Sequence, residues 1–325
     1  MTEIRDKMIG VNKDPFIESK SASSTAIAAI LLLGIVFSIF SVVHLGYYPE
    51  WKADEEHSHM ANVWEDMTEL KSQIDRTSIA LMQIDRTSIA PISDPNSSAP
   101  KITRNIPLHI GSWQMPLIGT TMSTGTVSVN TARCKMTITP KNGIGKINGS
   151  ETVINCGTIA YNSNNEYYVD QTFKYENGAL ILAQKEQSVM KLYPSIRVCE
   201  VSPGNYSFLI YAVEIQGPVD TLSSNADSSI YLKNCSFGNI YDSDGHGNVD
   251  SFGLTLDTDH PDAWKTYFNE MLTGAGLENN KDYALKLTEN DSLSLSFPMN
   301  GSNNSLGRLY VGKTAVNAEL VNGLS

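Results

Sequence analysis

The sequence predicts an α+β fold in which β-structure dominates, with a long helix near the N-terminal end. Two patterns support this prediction. An uncharged run of eighteen residues, 26–43 (AIAAILLLGIVFSIFSVV), is long enough for a membrane-spanning helix, and short alternating segments follow from about residue 105. We therefore expect five parts in chain order. They are an N-terminal segment (1–24), a transmembrane helix (25–46), an amphipathic helix (47–90), a linker (91–104) and an antiparallel β-sandwich-like domain (105–325).

The apolar run is predicted to cross a membrane once, with the N-terminus in the cytoplasm and most of the chain outside the cell. Lys and Arg are more numerous before the run than after it, and these residues favour the cytoplasmic side. The residues before it are Arg5, Lys7, Lys13 and Lys20, whereas 46–65 contains only Lys52. The run exceeds the apolar part of a usual secretory signal, and no A-x-A-like site follows it. An anchor that is uncleaved, or cleaved before the span, is therefore favoured over a secretory signal.

The next segment is predicted to be an amphipathic helix that starts after a kink at Pro49 and ends before Pro91. Its apolar residues recur in steps of three and four, which is the pattern of a heptad stripe. They are Met60, Val63, Met67, Leu70, Ile74, Leu81 and Ile84, with Thr77 in the one gap. The stripe fits three arrangements: a filament of many chains, a homodimer stalk, or packing on the chain's own β-rich domain.

A direct duplication, QIDRTSIA, occupies 73–80 and 83–90 of this helix. A ten-residue step is a heptad plus three, so the duplication keeps the apolar stripe on one face. It is either a spacer that lengthens the helix or a slippage that a surface helix tolerates.

The remaining chain reads as a proline-rich linker followed by strands. Residues 91–102 contain three prolines. The Asn-Gly pair in ENGA (176–179) predicts a type I′ hairpin turn. One helix is predicted over 261–272 (PDAWKTYFNEML), with strand patterns before and after it, which indicates a β-α-β insertion.

Composition indicates an exported and glycosylated surface. The formal net charge is −11, and an acidic chain repels phosphate backbones, so nucleic acid is not an expected partner. Seven Asn-x-Ser/Thr sequons lie after the apolar run. They are at Asn96, Asn148, Asn205, Asn234, Asn290, Asn300 and Asn303.

Four cysteines also lie after the apolar run, and an even number outside the membrane predicts two disulfides. They are Cys134, Cys156, Cys199 and Cys235. Four cysteines allow three pairings. The alternative to two disulfides is four buried thiols. No CxxC pair occurs, which argues against a zinc site.

One acidic segment has the spacing of a calcium loop. Its candidate ligands are Asp242, Asp244, His246, Asn248 and Asp250. Carboxylates at loop positions one, three and nine and a glycine at position six match the D-x-D-x-D-G-x-x-D pattern. His246 stands at position five, where an oxygen ligand is usual. Gly253 stands at position twelve, where an EF-hand loop has a bidentate Glu. The alternative is a polar turn without a metal.

No nucleophile, metalloprotease, P-loop or dinucleotide motif occurs, so we expect neither catalysis nor a small-molecule substrate, and no cofactor beyond calcium.

The order of parts resembles type IV pilins, and in particular archaeal pilin-like surface proteins. Three stretches carry the resemblance: SSTAIAAILLLGIVFSIFSVVHLGYYPEWKADEE, CGTIAYNSNNEYYVDQTFKYENGALILAQKEQSVMKLYP and DTDHPDAWKTYFN, together less than a third of the chain. The resemblance implies a structural or adhesion subunit, and cleavage by a prepilin peptidase around Lys20, Ser21 and Ala22. Ser21 stands where Gly or Ala is typical in that family.

We therefore expect a non-enzymatic, single-pass protein of the cell membrane that associates with itself through the heptad helix or with other surface proteins. The alternative is a membrane-anchored binding module that contacts envelope components, glycans or other cells and never forms filaments.

Overall fold

The structure, a computed structural model, describes residues 16–87, 102–113, 122–142, 146–147, 151–224, 228–245, 249–288 and 292–323. The chain divides into two compact units, one up to Ala53 and one from Asp54 onward. The first unit contains the apolar run. The second contains most of the amphipathic helix and all of the strands, and we refer to it as the β-rich unit.

Three helical segments follow one another before the strands. They are helix α1 (Phe16–Val42), a π-helical turn (Val43–Tyr47) and helix α2 (Tyr48–Thr87). The N–H of Tyr48 donates to the carbonyl oxygen of Val43, five residues back. Pro49 has no N–H to continue the i to i−4 pattern, so the wider turn just before it has a physical cause. The structure therefore has a π-helical turn just before Pro49, where the sequence predicts a kink.

The described residues of the β-rich unit form strands β1 to β18 and one further helix, α3 (Pro261–Gly274). The strands are β1 (Arg104–Leu108), β2 (Ser112–Trp113), β3 (Met122–Val129), β4 (Cys134–Asn142), β5 (Lys146–Ile147), β6 (Thr152–Asn155), β7 (Thr158–Asn164), β8 (Thr172–Glu176), β9 (Ala179–Gln184), β10 (Gln187–Leu192), β11 (Ile196–Ser202), β12 (Asn205–Gln216), β13 (Asp220–Ser224), β14 (Ser228–Asp242), β15 (Ser251–Thr258), β16 (Ala284–Leu287), β17 (Ser292–Phe297) and β18 (Ser305–Asn322). The prediction of an α+β fold dominated by β-structure is confirmed.

The described strands form three sheets. The first has the order β1-β14-β18-β12-β11, the second β10-β9-β8-β7-β3-β13 with β2 beside β3, and the third β16-β17-β15-β4-β5 with β6 also beside β4. The expectation of purely antiparallel sheets is wrong at one place, because β12 and β18 pair in parallel over twelve residue pairs. A parallel pair needs a long crossover, and residues 217–304 supply it with five strands and α3.

Two apolar cores hold the β-rich unit together. One lies among the third sheet, α3 and parts of the other two sheets, with Trp264, Phe208 and Phe297 fully buried in it. The other joins α2 to the first and second sheets through residues such as Met67 and Tyr175. Strand β12 contributes Phe208 to the first core and Val213 to the second.

Two local predictions are confirmed. Helix α3 covers the predicted 261–272, and Trp264 and Phe268 are buried on its apolar side. Asn177 and Gly178 link β8 to β9 with φ angles of 46° and 79°. Positive φ at both central residues is the geometry that a type I′ turn requires.

Candidate functional site

The apolar side chains of helix α1 have the most unusual environment in the described part of the chain. Every residue from Ser24 to Val42 is exposed, although the segment is almost entirely apolar. Ile30 and Leu32, for example, expose 68% and 66% of their surface. Burying one large aliphatic side chain is worth about 1.5–3 kcal/mol, so an apolar environment supplied from outside the chain would stabilise this segment.

Aromatic side chains follow the apolar segment at the start of α2. The ring of His44 packs between those of Phe40 and Tyr48, with centroid distances of 5.7 and 5.2 Å. Tyr47 packs on Trp51 at 6.0 Å, and Lys52 Nζ lies 5.5 Å from the Tyr48 ring. Aromatic rings next to a basic residue are typical of the zone where a membrane helix enters water.

The heptad stripe of α2 is buried inside the β-rich unit. Met67, Leu70 and Ile74 have no exposed surface and belong to the second core. Trp64 packs against Phe173 of β8 at a centroid distance of 5.7 Å. Of the three arrangements that the stripe allows, packing on the chain's own strands is therefore the one observed. Of the stripe residues that the structure describes, only Ile84 is not buried. Self-association through this helix stays a prediction.

Polar contacts fix the same helix to the strands. The carboxylate of Glu56 accepts hydrogen bonds from the backbone N–H groups of Glu166, Tyr167 and Tyr168, at 2.9, 2.8 and 2.6 Å. We call this arrangement the Glu56 latch. Glu56 is 5% exposed, so three donors of the loop before β8 are satisfied by one buried carboxylate.

A second carboxylate of the same helix also accepts a hydrogen bond from a backbone N–H group. Asp66 accepts hydrogen bonds from the backbone N–H of His109 at 2.7 Å and from its ring Nδ1 at 2.9 Å. Burial raises the pKa of Asp66 above its usual value, although the contacts with His109 oppose the rise.

The candidate processing residues lie in the first turns of α1. Lys20, Ser21 and Ala22 are within the helix that begins at Phe16. The backbone there is helical, and the side chains of these residues lie outside the described part of the structure. Cleavage at this place stays a prediction.

Two of the candidate calcium ligands are engaged by a cation. Arg308 Nη2 lies 2.6 Å from Asp242 Oδ2, and its Nε lies 3.1 Å from Asp244 Oδ2. Both carboxylates would have to exchange this guanidinium for a metal ion. Asp250 is exposed, and its backbone N–H donates to the carbonyl of Lys141 at 3.0 Å. His246 and Asn248 lie outside the described residues, so calcium binding stays a prediction.

All four cysteines are free thiols in the structure. The alternative of four buried thiols does not hold for Cys199, which is exposed. Disulfide formation stays a prediction. Cys134 and Cys156 are buried in the first core, whereas Cys235 is buried in the second. This separation leaves one close pair of cysteines.

The sequons differ in exposure. Asn234, Asn300 and Asn303 are exposed, as a glycan site requires. Asn205 is half-buried at the start of β12. Asn96, Asn148 and Asn290 lie outside the described residues.

The sequence patterns do not predict one buried polar cluster, because its members are distant in sequence. Glu176 of β8 has no exposed surface, and its Oε1 accepts hydrogen bonds from Thr258 Oγ1 and Trp264 Nε1, both at 2.6 Å. Lys174, two residues earlier, donates to Asp259 Oδ2 at 3.0 Å. The cluster thus ties the start of α3 to the second sheet.

Burial controls the protonation of this cluster. It raises the pKa of Glu176, against the hydrogen bonds from Thr258 and Trp264. It lowers the pKa of His260 to about 4, and the positive charge of Lys174 acts in the same direction. Burial also acts to raise the pKa of Asp259, but Lys174 and Arg133 together hold that pKa below its usual value.

A shallow aromatic cleft of about 280 Å³ lies between α2 and the second sheet. Its lining includes Trp64 and Tyr168, with Gln171 and Lys191 as polar neighbours. Ligand pockets usually combine an apolar lining with a few polar groups, and their volumes are about 300–1,000 Å³, so this cleft is small for a ligand site.

Comparison with known proteins gives no relative for this chain. No protein-family model matches it, and no similar curated protein or solved structure was found. Its function is therefore argued from its own residues.

Proposed function

We propose that this chain is a non-enzymatic, pilin-like cell-surface protein, a structural or adhesion subunit, held by its N-terminal apolar helix with the β-rich unit outside the cell. The observation that carries the proposal is the fully exposed apolar segment from Ser24 to Val42. A soluble chain that exposed it would aggregate, because contiguous apolar patches of this size are rare on soluble monomers.

The membrane is the simplest environment for this segment. Its residues are uncharged over a length that spans a hydrocarbon core, and rings and Lys52 follow it where headgroups would lie. Exposed sequons and the excess of acidic residues support an external β-rich unit.

A pilin-like role restricts which surface can assemble. The stripe of α2 packs against the chain's own strands, which favours other residues as the contacts between subunits. Filament contacts would have to come from residues 24–42, which would leave the lipid and pack against the same segment of other copies. Processing after Ser21 would release the segment for this step.

The membrane role is tested by charge substitution. We expect the double variant Leu32→Arg/Ile35→Arg to leave the membrane fraction, because two arginines near the helix centre cost about 5–7 kcal/mol of insertion free energy. The matched control, Ile79→Arg/Val219→Arg, adds the same charge at exposed apolar positions of the β-rich unit and should remain membrane-bound. Equal partitioning of the two variants after a carbonate wash would contradict the proposal.

Assembly is tested on filaments shed from the cell surface. Electron microscopy and peptide mass spectrometry of these filaments should find this chain as a repeating subunit whose first residue is Ala22. Ser21→Gly, which restores the family pattern, should raise the processed fraction, and Lys20→Glu should lower it.

A membrane-anchored binding module is the second candidate, and the aromatic cleft beside Trp64 favours it. In that case the chain keeps its N-terminal segment and stays in the membrane fraction. Retention of Met1 in the mature protein and its absence from shed filaments would select this function over filament assembly.

A further inference from the structure

Two of the four cysteines face each other across neighbouring strands. Cys134 is the first residue of β4, and Cys156 directly follows β6. The antiparallel register pairs Lys135 with Asn155, so the next pair outward is Cys134 with Cys156. The Cys156 N–H donates to the Cys134 carbonyl oxygen at 2.9 Å, which continues the ladder by one step.

This geometry suits a disulfide. Opposed residues of an antiparallel pair have Cα atoms about 4.5–5.5 Å apart, and a disulfide spans about 4.4–6.8 Å between Cα atoms. The two side chains lie in the same core, and the neighbouring Cys156 thiol raises the pKa of Cys134.

The other two cysteines cannot reach each other. Cys199 on β11 lies opposite Ser207 of β12, which pairs with Arg308 of β18. Cys235 on β14 lies beside the part of β18 around Val316. The two cysteines lie three strands apart in the first sheet. They are also offset by about eight residues, or roughly 25 Å, along the strand direction. A bond between them is excluded by this distance.

We propose that Cys134 and Cys156 form an intramolecular disulfide in the exported protein, and that Cys199 and Cys235 remain thiols. The proposal rests on the external location of the β-rich unit, where the surroundings are oxidising. A low-molecular-weight disulfide such as oxidised glutathione serves as the oxidant. One S–S bond of the oxidant breaks and one forms between the cysteines, while the two thiol protons pass to the two glutathione thiols that leave. The cysteine sulfurs are oxidised and the glutathione sulfurs are reduced.

The Cys134–Cys156 disulfide must form before the first core packs around the two cysteines. Cys134 is 6% exposed and Cys156 has no exposed surface. Contact with the Cys156 thiol and burial both raise the pKa of Cys134, and the thiolate is the reactive form. The folded thiol pair is therefore slow to oxidise, and the folded disulfide is slow to be reduced.

Peptide mapping tests the pairing in the full chain. Cells are treated with an alkylating reagent, and the chain is purified in detergent and digested without reductant. We expect a linked pair of peptides containing Cys134 and Cys156, and alkylated Cys199. Cys235 should react only after denaturation. Four alkylated cysteines, or any link that includes Cys199 or Cys235 within one chain, would overturn the pairing.

A refolding experiment separates the pairing from the location. The purified, denatured and reduced chain is refolded in a buffer of reduced and oxidised glutathione. Formation of the Cys134–Cys156 link here but not in cells would support the pairing and contradict the external location. Its absence in both would overturn the pairing alone.

Thermal unfolding provides a second readout that does not depend on mapping. Reduction of the refolded chain should lower Tm by about 5–10 °C, because the bond closes a loop of about 22 residues. Cys199→Ala is the matched control and should show the same loss on reduction. Cys134→Ala/Cys156→Ala should show none.

Discussion

At the residue scale, His260 makes the stability of the β-rich unit depend on pH. Its ring is largely buried at the start of α3, and burial lowers its pKa to about 4. The unfolded chain, with an ordinary histidine pKa of about 6.5, takes up a proton first as the pH falls. Acid therefore favours the unfolded state between pH 6.5 and pH 4.

The expected size of this loss is about 1–2 kcal/mol, once the partial exposure of the ring is taken into account. We expect His260→Asn, which keeps a polar side chain but cannot take the charge, to lose less stability than the wild type over this range. Urea unfolding of the full chain in detergent at a series of pH values measures this loss of stability. His57→Asn, at an exposed position of α2, should follow the wild-type profile; identical profiles for His260→Asn and the wild type would refute the assignment.

The buried cluster also shows what the sequence could not predict at this scale. Glu176 and Trp264 are 88 positions apart, and their contact at 2.6 Å depends on how the second sheet meets α3. Local patterns predict only that a charged residue on a strand faces water. The pair Cys134–Cys156 was likewise one of several open pairings, and only the register of β4 and β6 separates it from the rest.

At the element scale, the Glu56 latch makes α2 part of the β-rich unit. We expect Glu56→Gln to lower the free energy of unfolding by about 2–4 kcal/mol, because a neutral amide replaces a carboxylate that accepts three backbone N–H groups, and one half of the amide is itself a donor.

Asp54→Asn is the matched control for the latch, since it removes the same charge from an exposed position of the same helix. It should change the free energy of unfolding by less than about 0.5 kcal/mol. Denaturant unfolding compares the two variants. An equal effect would show that net charge, and not the latch, accounts for the loss.

Elements with a strong local pattern were predictable and the others were not. Helix α3 begins with a proline, and the Asn177–Gly178 turn has the residues that its φ angles require. The heptad stripe of α2 was recognised as an apolar face, but the pattern does not identify what covers it. The sequence of strand β18 shows no alternation of apolar and polar residues. Its middle residues are buried on both faces of the sheet, so they do not follow a period of two.

At the scale of the whole molecule, β18 is the strand on which the first sheet depends. It lies between β12 and β14 and pairs with both along most of its length. Its side chains enter both cores, through Leu309 in the first and Val316 in the second.

Removal of residues 305–325 should therefore prevent folding of the β-rich unit as a whole. Limited proteolysis of the truncated chain in membranes should cleave it at many sites, whereas the full chain resists except in exposed loops. Removal of α1 residues 24–42 is the contrasting change and should leave that resistance intact, because these residues contribute to neither core. A protease-resistant truncated chain would contradict the central role of β18.

The position of β18 also restricts the order in which the strands can pair during synthesis. Strand β12 cannot acquire its parallel neighbour until 88 more residues have followed it out of the ribosome, since the crossover occupies 217–304. The apolar helix, in contrast, emerges first and can engage the export machinery long before any sheet is complete. With the β-rich unit outside the cell, as proposed above, export of the chain would begin before its first sheet is complete.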